Sequence, residues 1–167
     1  MADPLADWTV EATMAARPGR VVLRARRGHD APVVLKATPP GEGWAARAEL
    51  RREARLLEAR RGDGVVDLLD VVDRRGRTAL LLAFVPAGTL ADRAAPDPDE
   101  VIGRLAATVE RLHRTGVVHG ALRPEHVTLD ADGLPVLVGF GAAHRSTNTT
   151  ADDTALTTLA HTLRSGA

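Results

Sequence analysis

The chain of 167 residues contains no cysteine and no tyrosine, and only two tryptophans and two phenylalanines. Without cysteine there is neither a disulfide framework nor a thiolate metal site, a composition suited to a reducing compartment, and a cytoplasmic protein is expected. With aromatics at 2%, Leu, Val and Ala must fill the core. No stretch approaches the roughly 18 consecutive apolar residues of a membrane span. The N-terminal "MADPLADWTV" also lacks the basic segment and apolar run of a signal peptide. Neither sign of charge is in excess: 22 basic and 22 acidic residues leave no net field, so nucleic acid and anionic membranes are not expected partners. Lysine is nearly missing too. Of the 22 basic residues one is lysine, Lys36 in "PVVLK", and the other 21 are arginine.

What is present describes one folded domain, or one domain built of two small lobes. Hydrophobic residues make up 44% and charged residues 26%, as in globular proteins. Residues 20–37 read as two β-branched runs about an Arg-Gly-His-Asp turn, a hairpin. "GWAARAELRREARLLEARRG" places Ala46, Leu50 and Leu57 on a helical repeat, with Gly62 as its stop. Residues 64–85 repeat the hairpin pattern about "DRRGR". The proline-containing "PAGTLADRAAPDPDE" marks a lobe boundary with a short helical turn. Asp97, Pro98 and Glu100 then form a helix start of capping-box type, followed by a buried stripe of Val101, Leu105, Val109 and Leu112. Asp132-Gly133 centres a further hairpin. A last helix sets Ala155, Leu156, Leu159, Ala160 and Leu163 against a threonine face. Strands first and helices later indicate an α+β architecture.

Several motifs, in order, carry a resemblance. "VVLK" is followed seventeen residues later by Glu53 in "LRREARLL", then by "ALLLAFVPAGTL", "HGALRPEHV" and Gly139-Phe140-Gly141. In this order and spacing the chain resembles the protein kinase fold of bacterial Ser/Thr kinases, from about residue 8 to 165. The resemblance implies an N-lobe over residues 1–85, an antiparallel sheet with helix C, and a hinge with a shortened C-lobe over 86–167. It makes Lys36 the lysine that pairs nucleotide phosphates and Glu53 the helix glutamate that holds it. It also puts Leu82 at the gatekeeper and Ala83 to Val85 at the hinge, with Gly88-Thr89-Leu90 opening the next helix.

The same resemblance shows what is missing. Phosphoryl transfer in this family needs an aspartate for the substrate hydroxyl's proton and oxygen ligands for Mg²⁺. Ala121 stands at the base, Gly139 at the metal-binding aspartate and His126 at the second metal ligand. Of the glycine-rich loop, matched at Met14, Ala16 and Gly19, only Gly19 survives, and Val34 replaces the alanine over the adenine ring. His119 reads as a packed histidine, and His113, His126 and His144 fall at no metal-ligand spacing. Eleven residues separate Gly141 from Asp153, matched to the aspartate of the family's D-V-Y-A-L helix, too few for a full activation segment.

These readings lead to a catalytically inactive kinase-like domain, a pseudokinase that regulates or scaffolds through protein contacts, with an active kinase or a phospho-reader as the partner. Its vestigial nucleotide cleft would comprise Lys36, Glu53, Gly19, Val34, Leu82, Ala83 and Val85. No cofactor and no metal are expected, ATP or ADP without Mg²⁺ being the alternative. The other functional reading is a divergent protein kinase or phosphotransferase that still grips ATP through Lys36 and Glu53.

Overall fold

The computed structural model describes residues 5–60, 62, 64–74 and 76–165, the side chain of Arg74 excepted. The chain folds as two compact units, Met1–Glu58 with Asp67–Phe84, and Ala59–Val66 with Val85–Ala167.

In the first unit β1 (Thr9–Arg17), β2 (Arg20–Arg26), β3 (Val33–Ala37), β4 (Leu68–Arg74) and β5 (Arg77–Ala83) form a five-stranded antiparallel sheet. Its order is β1-β2-β3-β5-β4, and helix α1 (Trp44–Glu58) belongs to the same unit. Both expected hairpins form, β2 with β3 and β4 with β5, although Arg75 of the second turn lies outside the described residues. β1 is an addition that the sequence pattern hides. "TVEATMAAR" has no sustained alternation, and every residue of it is exposed, because an edge strand is held mainly by its ladder to β2. Two register shifts interrupt that ladder. Met14 and Ala16, matched to loop positions, therefore lie within a paired strand, and the turn narrows to Pro18-Gly19.

Cross-strand register sorts the side chains. Val22, Lys36 and Leu80 are opposite one another, as are Arg24, Val34 and Leu82, so these share one face. The other face holds Ala25, Leu35, Ala37 and Ala79, packed with Leu5, Trp8, Val21, Leu23 and Val72. α1 is rich in Ala, Leu, Arg and Glu, all good helix formers. It buries Leu50, Ala54, Leu56 and Leu57, and among them the carboxylate Glu53.

In the second unit α2 (Pro98–Arg114) starts as expected, the Asp97 side chain accepting the Glu100 N–H at 3.0 Å. The reciprocal half of a capping box is not made, since the Glu100 carboxylate accepts instead from Arg104, one turn on, at 3.0 and 3.1 Å. Short strand pairs follow: β6 (Val117–Val118) with β9 (His144–Arg145), and β7 (Val127–Leu129) with β8 (Pro135–Leu137). Segment 59–66 joins this unit through β8: Val66 N–H donates to Leu137 O at 3.0 Å and Leu137 N–H to Gly64 O at 2.8 Å.

The helix expected to open at Gly88-Thr89-Leu90 is replaced by a single turn. Asp92 and Arg93 N–H bond to Thr89 O, but Leu90 N–H donates to Val127 O at 2.9 Å and Leu129 N–H to Gly88 O at 3.0 Å, a strand-like pairing that competes with helix. The final helix α3 (Thr150–Ser165) buries Leu159 and exposes Thr154, Thr157, Thr158 and Thr162, as its pattern requires. Among the described residues no helix is long and apolar enough to cross a membrane.

Candidate functional site

Glu53 is the centre of the first unit's polar chemistry. Its side chain is 2% exposed, and Lys36 Nζ donates to its Oε1 at 2.6 Å. The sequence reading did not include the second cation. Arg20, the first residue of β2 and 4% exposed, sets its Nη1 3.5 Å from Glu53 Oε2 and its Nη2 3.2 Å from Glu49. Arg20 lies two residues before Val22 and so shares the Lys36 face of the sheet, a placement that becomes legible once the hairpin register is known. Burial pushes both the Lys36 ammonium and the Arg20 guanidinium below their ordinary pKa, and attraction to Glu53 only partly offsets it. Desolvation thus outweighs pairing for each cation, so this cluster fixes geometry more than it adds net stability. Further along α1, Arg51 forms a bidentate pair with Asp73 of β4 at 2.6 and 2.8 Å, and Arg47 donates to Gly76 O at 2.9 Å. The Arg51–Asp73 pair is half-exposed, so solvent screens it and it adds little to stability.

The other residues assigned to the cleft are distributed unevenly. Val34 and Leu82 are cross-strand neighbours on the Lys36 face, Leu82 buried and Val34 partly so. Ala83 sits opposite Val33, on the other face, and Val85 opens the longer of the second unit's two segments. Gly19 occupies the β1–β2 turn with φ of +77°, where a Cβ would come 3.1 Å from the Ala46 Cβ. Its neighbour Pro18 offers no N–H, so this turn is a poor cradle for phosphate.

In the second unit Ala121, His126 and Gly139 come together, but through the backbone and a ring. His126 Nδ1 meets Ala121 O at 2.7 Å, which fixes Nδ1 as the protonated nitrogen, and Nε2 lies 3.4 Å from Arg123 Nη2. Gly139 has φ of +80°, and a Cβ there would lie 2.5 Å from His126 Cδ2. His119 is buried, as expected of a packing residue. Its Nε2 meets Val138 O at 2.8 Å, and its ring packs edge-on against Phe140 at 4.8 Å between centroids.

The aspartate that organises this loop is Asp152, not Asp153. Asp152 is 1% exposed and accepts from His119 N–H at 2.7 Å, Gly120 N–H at 2.9 Å and the His113 ring at 3.0 Å. Asp153 is exposed and takes the Thr149 hydroxyl. The spacing held the answer: in D-V-Y-A-L the aspartate precedes Ala-Leu by three residues, and counting back from Ala155-Leu156 reaches Asp152. Burial alone would raise the Asp152 pKa, but the His113 ring and the two backbone N–H groups outweigh it and hold the carboxyl below its ordinary value.

No family model matches the chain. It is 32% identical over 102 residues to the hormonally up-regulated neu tumor-associated kinase of Mus musculus, a match covering 57% of this chain and 14% of that protein. It is 29% identical over 101 residues to ribosomal protein S6 kinase beta of Caenorhabditis elegans, covering 56% of this chain and 18% of the relative. Against CBL-interacting serine/threonine-protein kinase 21 of Arabidopsis thaliana it is 24% identical over 100 residues, covering 56% and 24%. The relationship is to serine/threonine protein kinases. It is distant and partial, the match spanning less than a quarter of the first two relatives' length. The first unit, a five-stranded antiparallel sheet with one helix, is compatible with a kinase N-lobe.

A kinase-like chain implies Mg²⁺ on a nucleotide, and the residues at the two matched ligand positions do not fit it. Gly139 has no side chain, and His126 spends one nitrogen on Ala121 O, whereas Mg²⁺ demands oxygen ligands in octahedral array. Among the described residues no group of three or more His, Asp or Glu side chains is arranged to hold a metal.

Because Glu53 has two buried cations, Lys36→Met or Arg20→Met alone should cost about 1 kcal/mol or less, and the double variant about 3–5 kcal/mol, since it strands a buried charge. Urea denaturation of the four proteins measures this, and additive losses would show that Arg20 does not share the load. For Asp152 the folded pKa lies below the unfolded value, so its stabilisation is present above about pH 4 and is lost as pH falls through the folded pKa. The advantage of wild type over Asp152→Asn should therefore shrink as acid unfolding is followed from pH 7 to below pH 4, and a constant gap would refute the assignment.

Proposed function

We propose that this chain is a pseudokinase: a kinase-like domain that does not transfer phosphate and acts as a regulatory or scaffolding protein-binding module. The observation that supports this most is the His126–Gly139 arrangement, in which a fixed imidazole stands against a left-handed glycine at the two positions matched to metal ligands. Ala121 adds a methyl group where the family's proton acceptor would be. Lys36 and Glu53 persist as a strut within the first unit. The partner is a protein, an active kinase or a phospho-reader, and the setting is cytoplasmic. In this reading nucleotide is either not bound or bound as ATP or ADP without Mg²⁺.

A second reading has one specific observation in its favour. The 2.6 Å Lys36–Glu53 pair is the arrangement with which a divergent phosphotransferase would grip ATP. Thermal shift and calorimetric titration with ATP and ADP, with and without Mg²⁺, separate the two when combined with an autophosphorylation assay. The pseudokinase reading expects no Mg²⁺-dependent gain in affinity and no phosphate incorporation. Binding strengthened by Mg²⁺ together with incorporated phosphate would establish the enzyme instead.

A further inference from the structure

We infer that His126 and Gly139 are an interlocked pair: the imidazole occupies the volume that any side chain at 139 would need, so an oxygen ligand cannot be reinstated at 139 while His126 is in place. This deepens the pseudokinase reading and rests on it for its meaning, although its physical content is independent of nucleotide.

The geometry is confined to the second unit. A Cβ built on Gly139 would lie 2.5 Å from His126 Cδ2, 2.6 Å from Cγ and 2.8 Å from Nε2, all inside van der Waals contact. The ring cannot yield cheaply. Nδ1–H donates to Ala121 O at 2.7 Å, the residue closes a 3₁₀ turn (Pro124–His126), and Val138 N–H donates to His126 O at 2.9 Å. The His119 ring stands edge-on beside it, 5.8 Å between centroids, and is itself bonded to Val138 O. Moving the imidazole would therefore break its bond to Ala121 and disturb the packing beside His119 and Val138. Two separate constraints meet at Gly139, a left-handed φ of +80° and the absence of room for a Cβ. Loss of the metal ligand is thus built into the packing rather than being a single missing carboxylate.

A thermodynamic cycle without nucleotide tests the pair. Asn tolerates left-handed φ and carries no charge, so Gly139→Asn isolates the volume conflict from electrostatics. It is measured in the wild-type and the His126→Ala backgrounds by thermal and urea unfolding, since alanine removes the Cγ, Cδ2 and Nε2 atoms that a Cβ at 139 would meet. The backbone cost at 139 is common to both backgrounds and cancels. The interlock is expected to lower the melting temperature by roughly 5 °C or more in the wild-type background, with less than half that loss in the His126→Ala background. Equal losses in the two backgrounds would overturn it. If Gly139→Asn cannot be isolated in either background, Gly139→Ala, which adds the Cβ alone, decides by the same comparison. As a second arm, Gly139→Asp by itself should gain no Mg²⁺-dependent stabilisation by ATP, and such a gain would also overturn the interlock. Mg²⁺-dependent ATP binding by the unaltered chain would instead count against the pseudokinase reading, leaving the stability cycle to be judged by itself.

Discussion

A carboxylate with 2% of its surface exposed must be compensated or it destroys the fold around it, and Glu53 is compensated twice. Lys36 reaches it from the middle of the sheet and Arg20 from the start of β2, so one helix residue is tied to two adjacent strands. That double tie positions α1 against the sheet and places Leu50 and Leu57 in the core. Both cations are desolvated at a cost, which pushes their pKa below the ordinary value, so the cluster supplies geometry more than net stability. The single lysine is then one of two cations on Glu53.

The second unit shows the same economy with different groups. Asp152 gathers the backbone N–H of His119 and Gly120, together with the His113 ring, and so shapes the loop that follows β6. His119 in turn holds Val138, and His126 holds Ala121 and stands against Gly139. His119 and His126, at positions matched to the kinase catalytic loop, are bonded to the protein's own backbone. In the pseudokinase reading, what survives is the machinery that shapes the loop, while the groups that would meet substrate and metal do not.

Much of this was legible in the sequence, and the failures have physical reasons. The β2–β3 and β4–β5 hairpins, α2 with its Asp97 cap and the two-faced α3 follow from local patterns, because turn residues, a cap and apolar periodicity are all read within a few neighbouring positions. β1 left no signal, since an edge strand with all residues exposed needs no apolar alternation. The helix expected after Gly88 lost to pairing with β7, a contact between residues far apart in the chain. The Lys36–Glu53 pair could be expected from motif spacing, but Arg20 required the hairpin register and Asp152 required the correct count back from Ala155-Leu156. The Gly139–His126 conflict lies thirteen residues apart and involves a ring against an absent atom, which no composition or periodicity encodes.

Native-state hydrogen exchange of the α1 amides, in nucleotide-free Lys36→Met and Glu53→Gln proteins, tests the central role of Glu53 most directly. If Glu53 is the anchor and its cations share the task, α1 should keep its protection in Lys36→Met and lose it by at least roughly tenfold in Glu53→Gln, which leaves the buried Lys36 without its carboxylate and Arg20 with Glu49 alone. Equal loss of protection in the two variants would show that Lys36 alone holds the helix and would contradict the shared anchor.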